Sequence, residues 1–124
     1  MDKFQAAFEI LYFLSAVDGK VSDSEVTVMI DFLESNQGKI RFSPKSVINS
    51  ISSMTGKGII EEIERAALVF KNASNAQDRI TMLDFALNLI ASDGKITDNE
   101  KNLFFILGST WNVDVKKYLA DKIS

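Results

Sequence analysis

Twelve residues near the start of this chain return 75 positions later. Leu14 to Glu25 reads LSAVDGKVSDSE, and Leu89 to Glu100 reads LIASDGKITDNE. The copies are identical at Leu14/Leu89, Ala16/Ala91, Asp18/Asp93, Gly19/Gly94, Lys20/Lys95, Asp23/Asp98 and Glu25/Glu100, and conservative at Val21/Ile96 and Ser22/Thr97. A segment written twice at this spacing implies two copies of one supersecondary unit packed together. The repeats extend over residues 4–36 and 79–111 and are expected to be related by a pseudo-twofold. Both keep the same acids, so the duplication bears on function as well as on fold.

What precedes each copy fixes its structure. From Phe4 to Val17 only Gln5, Glu9 and Ser15 are not apolar. A surface helix shows an apolar stripe, so a segment this apolar all round belongs inside a bundle. It falls short of the ~20 residues that span a bilayer. Ile80 to Ala91 is the counterpart, broken only by Thr81, Asp84 and Asn88. The first and fifth helices are therefore expected to be the central, most buried pair.

Each central helix runs into Asp-Gly, where the glycine is expected to form a left-handed cap. Ser22-Asp-Ser-Glu25 and Thr97-Asp-Asn-Glu100 then spell capping boxes that open the next helices, over 23–35 and 98–109. Ser43-Pro44 opens a third helix ending near Thr55. A fourth covers Ile59 to Ala73, with Ile60, Ile63, Ala67 and Phe70 at helical spacing. Asn75 caps the fifth helix, and Asn112 is expected to cap a last one reaching Ile123. With one proline, six glycines and no linker, the expectation is one all-α domain over residues 1–124, a bundle of seven helices.

Composition narrows the chemistry. The chain has no cysteine and no histidine. That removes disulfides, thiolate and imidazole zinc sites, and any catalytic triad or pair built on histidine. A net charge of −3 argues against nucleic acid as a partner. The MDKF start lacks a signal-peptide pattern. A cytoplasmic location with no direct membrane insertion is expected.

The repeated string resembles the second half of an EF-hand loop, but Leu14 and Ala16, and likewise Leu89 and Ala91, stand where oxygen ligands are required. It resembles much more closely the TerB-like family, named for a bacterial tellurite-resistance protein and found also at the N-terminus of a DnaJ-like membrane chaperone. The family pattern is an alanine-containing apolar helix, then Ala-x-Asp-Gly-x-[Val/Ile]-[Ser/Asp]-x-x-Glu, then an amphipathic helix. Ala16 to Glu25 and Ala91 to Glu100 both fit it. The resemblance implies a TerB-like helical bundle with two central buried helices. It associates the chain with metal or metalloid stress and bacterial defence complexes. The segment from Gln37 to Asn72 carries no family signature.

The acids allow two readings. An aspartate at a helix C-terminus faces the negative end of the macrodipole, so Asp18 and Asp93 need local compensation. They either accept backbone N–H groups of the corner, with Glu25 and Glu100 as capping residues, or converge with those glutamates on a divalent cation. With oxygen ligands alone, that ion would be Mg²⁺, Ca²⁺ or Mn²⁺. Glu9 and Asp84 are equivalent under the 75-residue shift and interrupt the two apolar runs. Each is expected either at a solvent-facing edge of its helix or against a basic residue, or else the two meet across the pseudo-twofold as part of such a site. Gly56-Lys-Gly58 lacks the spacing of a phosphate loop. Lys39, Arg41 and Lys45 are expected on a solvated face, and Trp111 in the core. The expected role is a non-enzymatic binding or scaffold module for other proteins, with an acidic and divalent-cation-binding site at the paired Asp-Gly corners. The alternatives are an interaction module without metal and, third, a carboxylate-only metal-dependent hydrolase.

Overall fold

The computed structural model describes residues 1–17, 19–91 and 95–122. Among them the chain forms helices and no strand: α1 Lys3–Ala16, α2 Asp23–Gln37, α3 Pro44–Ile51, α4 Lys57–Asn72, α5 Ala76–Ile90, α6 Asp98–Trp111 and α7 Val115–Lys122. The all-α reading holds, and the helix order repeats with the sequence. A shift of 75 carries α1 and α2 onto the register of α5 and α6.

Most helix starts follow from a side-chain cap. Asp2 accepts from Gln5 N for α1, and Ser43 from Ser46 N ahead of Pro44 for α3. Ser22 and Thr97 form complete capping boxes with Glu25 and Glu100, as their spacing implies. Asn75 caps α5 in a third box, with Asp78 as its reciprocal acid. The helix ends depart more from expectation. Val17 closes α1 in right-handed conformation, its N–H donating to Phe13 O, and Gly19 N–H donates to Ala16 O. The cap is thus not the left-handed glycine that the Asp-Gly string suggests; Gly94 lies outside the described residues. Helix α3 stops at Ile51, short of Thr55, and α4 begins at Lys57, because Gly56 makes the turn with φ +47°. Asn112 ends α6 as a left-handed cap (φ 56°) and does not open α7. Asp114 does that, its Oδ1 accepting from Lys117 N at 3.1 Å. The end of α7 expected at Ile123 lies outside the described residues.

Helix α1 is the axis of the molecule. It packs against α2, α3, α4, α5 and α6, and its side chains from Ala6 to Leu11, with Phe13 and Leu14, are buried. Its most extensive neighbour is α4, which also runs along α6. Helix α5 also packs on α1, but it is not the second most buried helix as expected: it buries four side chains where α6 buries six residues. Leu11 and Leu87 are both in the core, but Ile80, Phe85, Leu89 and Ile90 of α5 are only half-buried. The physical reason lies in α4. Its inward stripe, Ile63, Ala66, Ala67 and Phe70, puts two small residues at the middle, which lets neighbouring helices approach closely. Trp111 fills the far end of that contact as a core residue. Its Nε1 donates to Ala67 O at 2.8 Å, and its ring packs on Phe70 at 5.5 Å. Arg79 of α5 reaches back to Lys71 O and Ser74 O, capping the carbonyl end of α4 with a cation.

The α6–α7 turn brings the backbone of α6 close against the chain that follows. A Cβ on Gly108 would stand 2.2 Å from Val115 Cγ2 and 2.8 Å from Val113 O. Gly108→Ala should therefore destabilise the fold by about 1–3 kcal/mol, as overpacking does, despite alanine's better helix propensity. A denaturant melt checks this, and parent-like stability would show that Val115 and the Val113 carbonyl can give way.

Candidate functional site

The glutamates of the repeated motif work first as caps. Glu25 Oε1 accepts from Ser22 N at 3.1 Å and Ser22 Oγ at 3.0 Å, and Glu25 N donates back to Ser22 Oγ at 3.2 Å. In the second copy Thr97 N donates to Glu100 Oε1 at 3.0 Å and Glu100 N to Thr97 Oγ1 at 3.1 Å. The copies differ in depth. Glu25 is half-buried, while Glu100 is buried. Asp18 and Asp93 lie outside the described residues. Among the described ones, no group of three or more acidic side chains is gathered as a metal site.

Glu9 and Asp84 have different surroundings. Asp84 sits at an edge between α5 and α7, its carboxylate 41% exposed. Its Oδ1 accepts from Tyr118 Oη at 2.5 Å and lies 3.6 Å from Lys122 Nζ. Burial and the neighbouring carboxylate push the Tyr118 hydroxyl well above the ordinary tyrosine range. Glu9 is 1% exposed and faces α3 and α4. It meets Glu62 of α4 and Gln5 of its own helix.

Glu9 forms the floor of a cleft of about 410 Å³ between the start of α1, α3 and α4. Gln5 Nε2 donates to Glu9 Oε2 at 3.0 Å, one turn back on the same helix. Glu9 Oε1 is buried, with no N–H or hydroxyl donor beside it. Glu62 enters from α4, held at its outer side by Arg65 Nη1 at 3.3 Å. Two carboxylates cannot hydrogen-bond each other without a proton between them. Burial pushes the Glu9 carboxyl up to about 7; a hydrogen bond to Glu62 and the charge of Glu62 add to the rise, and Gln5 and Arg65 oppose it. Near neutral pH the site thus holds a proton that an exposed glutamate would have lost.

Glu62 is the residue the sequence reading missed. A signal was present. Glu62 lies four residues before Ala66 and one before Ile63, on the flank of the buried stripe, whereas Glu61 and Glu64 point outward. The pattern of that helix separates the three acids once its inward face is known.

The sequence matches the family described as tellurite resistance protein TerB over residues 5–115. The chain belongs to the TerB family. No curated protein and no solved structure gives a match. The TerB match takes in both Asp-Gly corners, the capping boxes and the middle helices α3 and α4. The Glu9–Glu62 cleft therefore lies within the TerB region of the chain.

Two expectations follow. Thr97→Ala and Ser22→Ala should each cost about 1 kcal/mol, the ordinary worth of an N-cap. Thr97→Ala should cost more, because it strips the acceptor from the Glu100 N–H at the more buried of the two boxes; urea melts rank them, and equal costs would mean that the depth of Glu100 is immaterial. The second concerns pH. Glu9 binds its proton more tightly folded than unfolded, so its contribution is fully present below pH ~4.5 and is lost as pH rises through ~7. Glu9→Gln should make stability less dependent on pH across that window. At pH ~8 it should raise stability over the parent by on the order of 1–3 kcal/mol. A parent-minus-mutant difference that stays flat with pH would refute the buried, protonated state.

Proposed function

We propose that this TerB-family chain is a non-enzymatic binding module of the bacterial cytoplasm. It serves metal or tellurite stress by engaging other proteins, with a divalent-cation site at its paired Asp-Gly corners. The observation that carries the reading is the doubled Ala-x-Asp-Gly string, with both capping boxes formed, inside a TerB match spanning residues 5–115. The chemistry supports binding over turnover. A chain with no histidine and no cysteine lacks the usual base and nucleophile pairs, and the motif glutamates Glu25 and Glu100 act as caps. Among the described residues no helix is long and apolar enough to cross a membrane.

Under this reading a corner ion would be held by Asp18 and Asp93, with Glu25 and Glu100 as further candidates. Glu25 and Glu100 fix the first turns of α2 and α6 through their capping bonds. Glu9 and Asp84 serve elsewhere, in the cleft against Glu62 and at the Tyr118 edge. The second reading is an interaction module in which the corners are architecture alone. The capping bonds of Glu25 and Glu100 favour it.

A thermal melt decides between them. With millimolar Mg²⁺, Ca²⁺ or Mn²⁺ against EDTA, an ion bound only by the native state raises the melting temperature. Asp18→Asn and Asp93→Asn should abolish that rise. A parent whose melt ignores every ion leaves the metal-free interaction module, and metal-dependent hydrolysis of a phosphate or peptide ester would overturn the non-enzymatic reading altogether.

A further inference from the structure

Of the four large apolar side chains exposed among the described residues, three fall in two places: Ile60 and Leu68 on α4, and Phe105 on α6. A single exposed apolar side chain needs no explanation, but the charge around these differs in sign between the two places. On α4, Ile60, Glu64 and Leu68 follow one another turn by turn and are all exposed, so they form one outward ridge. Its carboxylate stands between two apolar side chains. Glu61, beside Ile60, is held by Lys57 at 3.7 Å, whereas Glu64 forms no ion pair among the described residues. Phe105 lines a groove of about 270 Å³ between α6 and α7. Leu119, Ile96 and Ala120 complete its apolar lining, and its charged lining is Lys101 and Lys116 alone. Neither lysine forms an ion pair among the described residues, although Asp98 lies one turn from Lys101. We propose that this groove takes the Ile60–Glu64–Leu68 ridge of a second copy of the chain.

Charge complementarity selects that occupant. The chain carries a net charge of −3, so two copies repel unless a basic patch of one meets an acidic patch of the other. Ridge and groove are such a pair. An unpaired carboxylate meets unpaired ammonium groups, while Ile60 and Leu68 meet Phe105 and Leu119. Lys101 is half-buried, so the arriving carboxylate also supplies a charge that this cation lacks in its own chain. An anionic membrane is the poorer fit, because such surfaces are held by clusters of about four to eight basic residues. Nor does the groove come from the duplication. Shifted by 75 residues, Lys101 and Phe105 correspond to Val26 and Ile30, which are half-buried against the core. The second copy presents a cation and a ring where the first packs aliphatic side chains. Because ridge and groove are different surfaces, the contact is heterologous, and each copy can both give and receive one. A contact this small belongs to the weak class, with a dissociation constant of roughly 0.1–1 mM.

The test is sedimentation equilibrium of the intact chain up to about 2 mM, at low and at high sodium chloride. At low salt the mean mass should rise with concentration above that of the monomer, and high salt should reduce the rise. Glu64→Lys and Lys101→Glu should each stay monomeric, since each sets like charges against one another. Mixed in equal amounts they should associate again, because the altered ridge of one then meets the altered groove of the other with opposite charge. Mixing does not repair a folding defect, so this rescue separates a lost contact from a lost structure. Leu68→Ser and Phe105→Ser should each weaken association by about tenfold or more, as loss of an apolar anchor does. Lys117→Glu makes the same charge change on α7 outside the groove and should alter little. Any of three results overturns the proposal: a parent that stays monomeric at low salt, a mixture as monomeric as its components, or association that survives both serine substitutions. A monomeric parent that co-sediments with phosphatidylserine vesicles would assign the groove to a membrane instead.

Discussion

A helix that packs against five others has little face left for water. Helix α1 is in that position, with α2 through α6 around it, and the arrangement follows from a run in which only Gln5, Glu9 and Ser15 are polar. Burying so much apolar surface is the main favourable term in forming this bundle. It also leaves no inexpensive place for an acid. Glu9 stands in the middle of the run and is carried inside with its neighbours. The structure answers with a donor from Gln5, a second carboxyl from Glu62 and a proton. The cleft at α3 and the raised affinity of Glu9 for its proton are thus consequences of where α1 sits.

Much of this was legible in the residues. The two apolar runs, the capping boxes at Ser22 and Thr97, the cap at Asn75, the proline-led α3 and the buried Trp111 all follow from local patterns, and the structure has them. The ranking of helices by burial was not legible. The run at Ile80–Ala91 looks as apolar as its counterpart, yet α4 takes the place beside α1. The deciding feature is the pair Ala66-Ala67, whose value is closeness of approach, and hydropathy alone does not weigh that. Helix ends were similarly obscure. Asn112 is equally suited to cap a helix start or to take a left-handed turn at an end, and the residues after it had to decide.

The candidate acids show the same division between local and tertiary information. Glu25 and Glu100 could be read from spacing because a capping box is local. Glu9 and Asp84 occupy equivalent places in the two copies, and sequence alone assigned them one fate. Tertiary contact separates them. Asp84 meets Tyr118 and Lys122 of α7, a helix that begins beyond the second repeat, and Glu9 meets the middle helices that lie between the repeats. The copies are alike in themselves and unlike in what the rest of the chain places against them.

That unlikeness extends to one aromatic contact. Phe32 of α2 stacks on Phe85 of α5, ring centroids 3.9 Å apart and planes 13° from parallel. Shifted by 75 residues, the same two positions are Leu107 and Ile10. The α2–α5 contact is therefore a pair of flat rings, and the equivalent positions hold branched aliphatic side chains. A protein made of duplicated units is exposed to exchange, in which a half from one molecule docks on the wrong half of another. Flat rings and branched chains do not interchange without voids or clashes, so an exchanged half would have to repack at this contact.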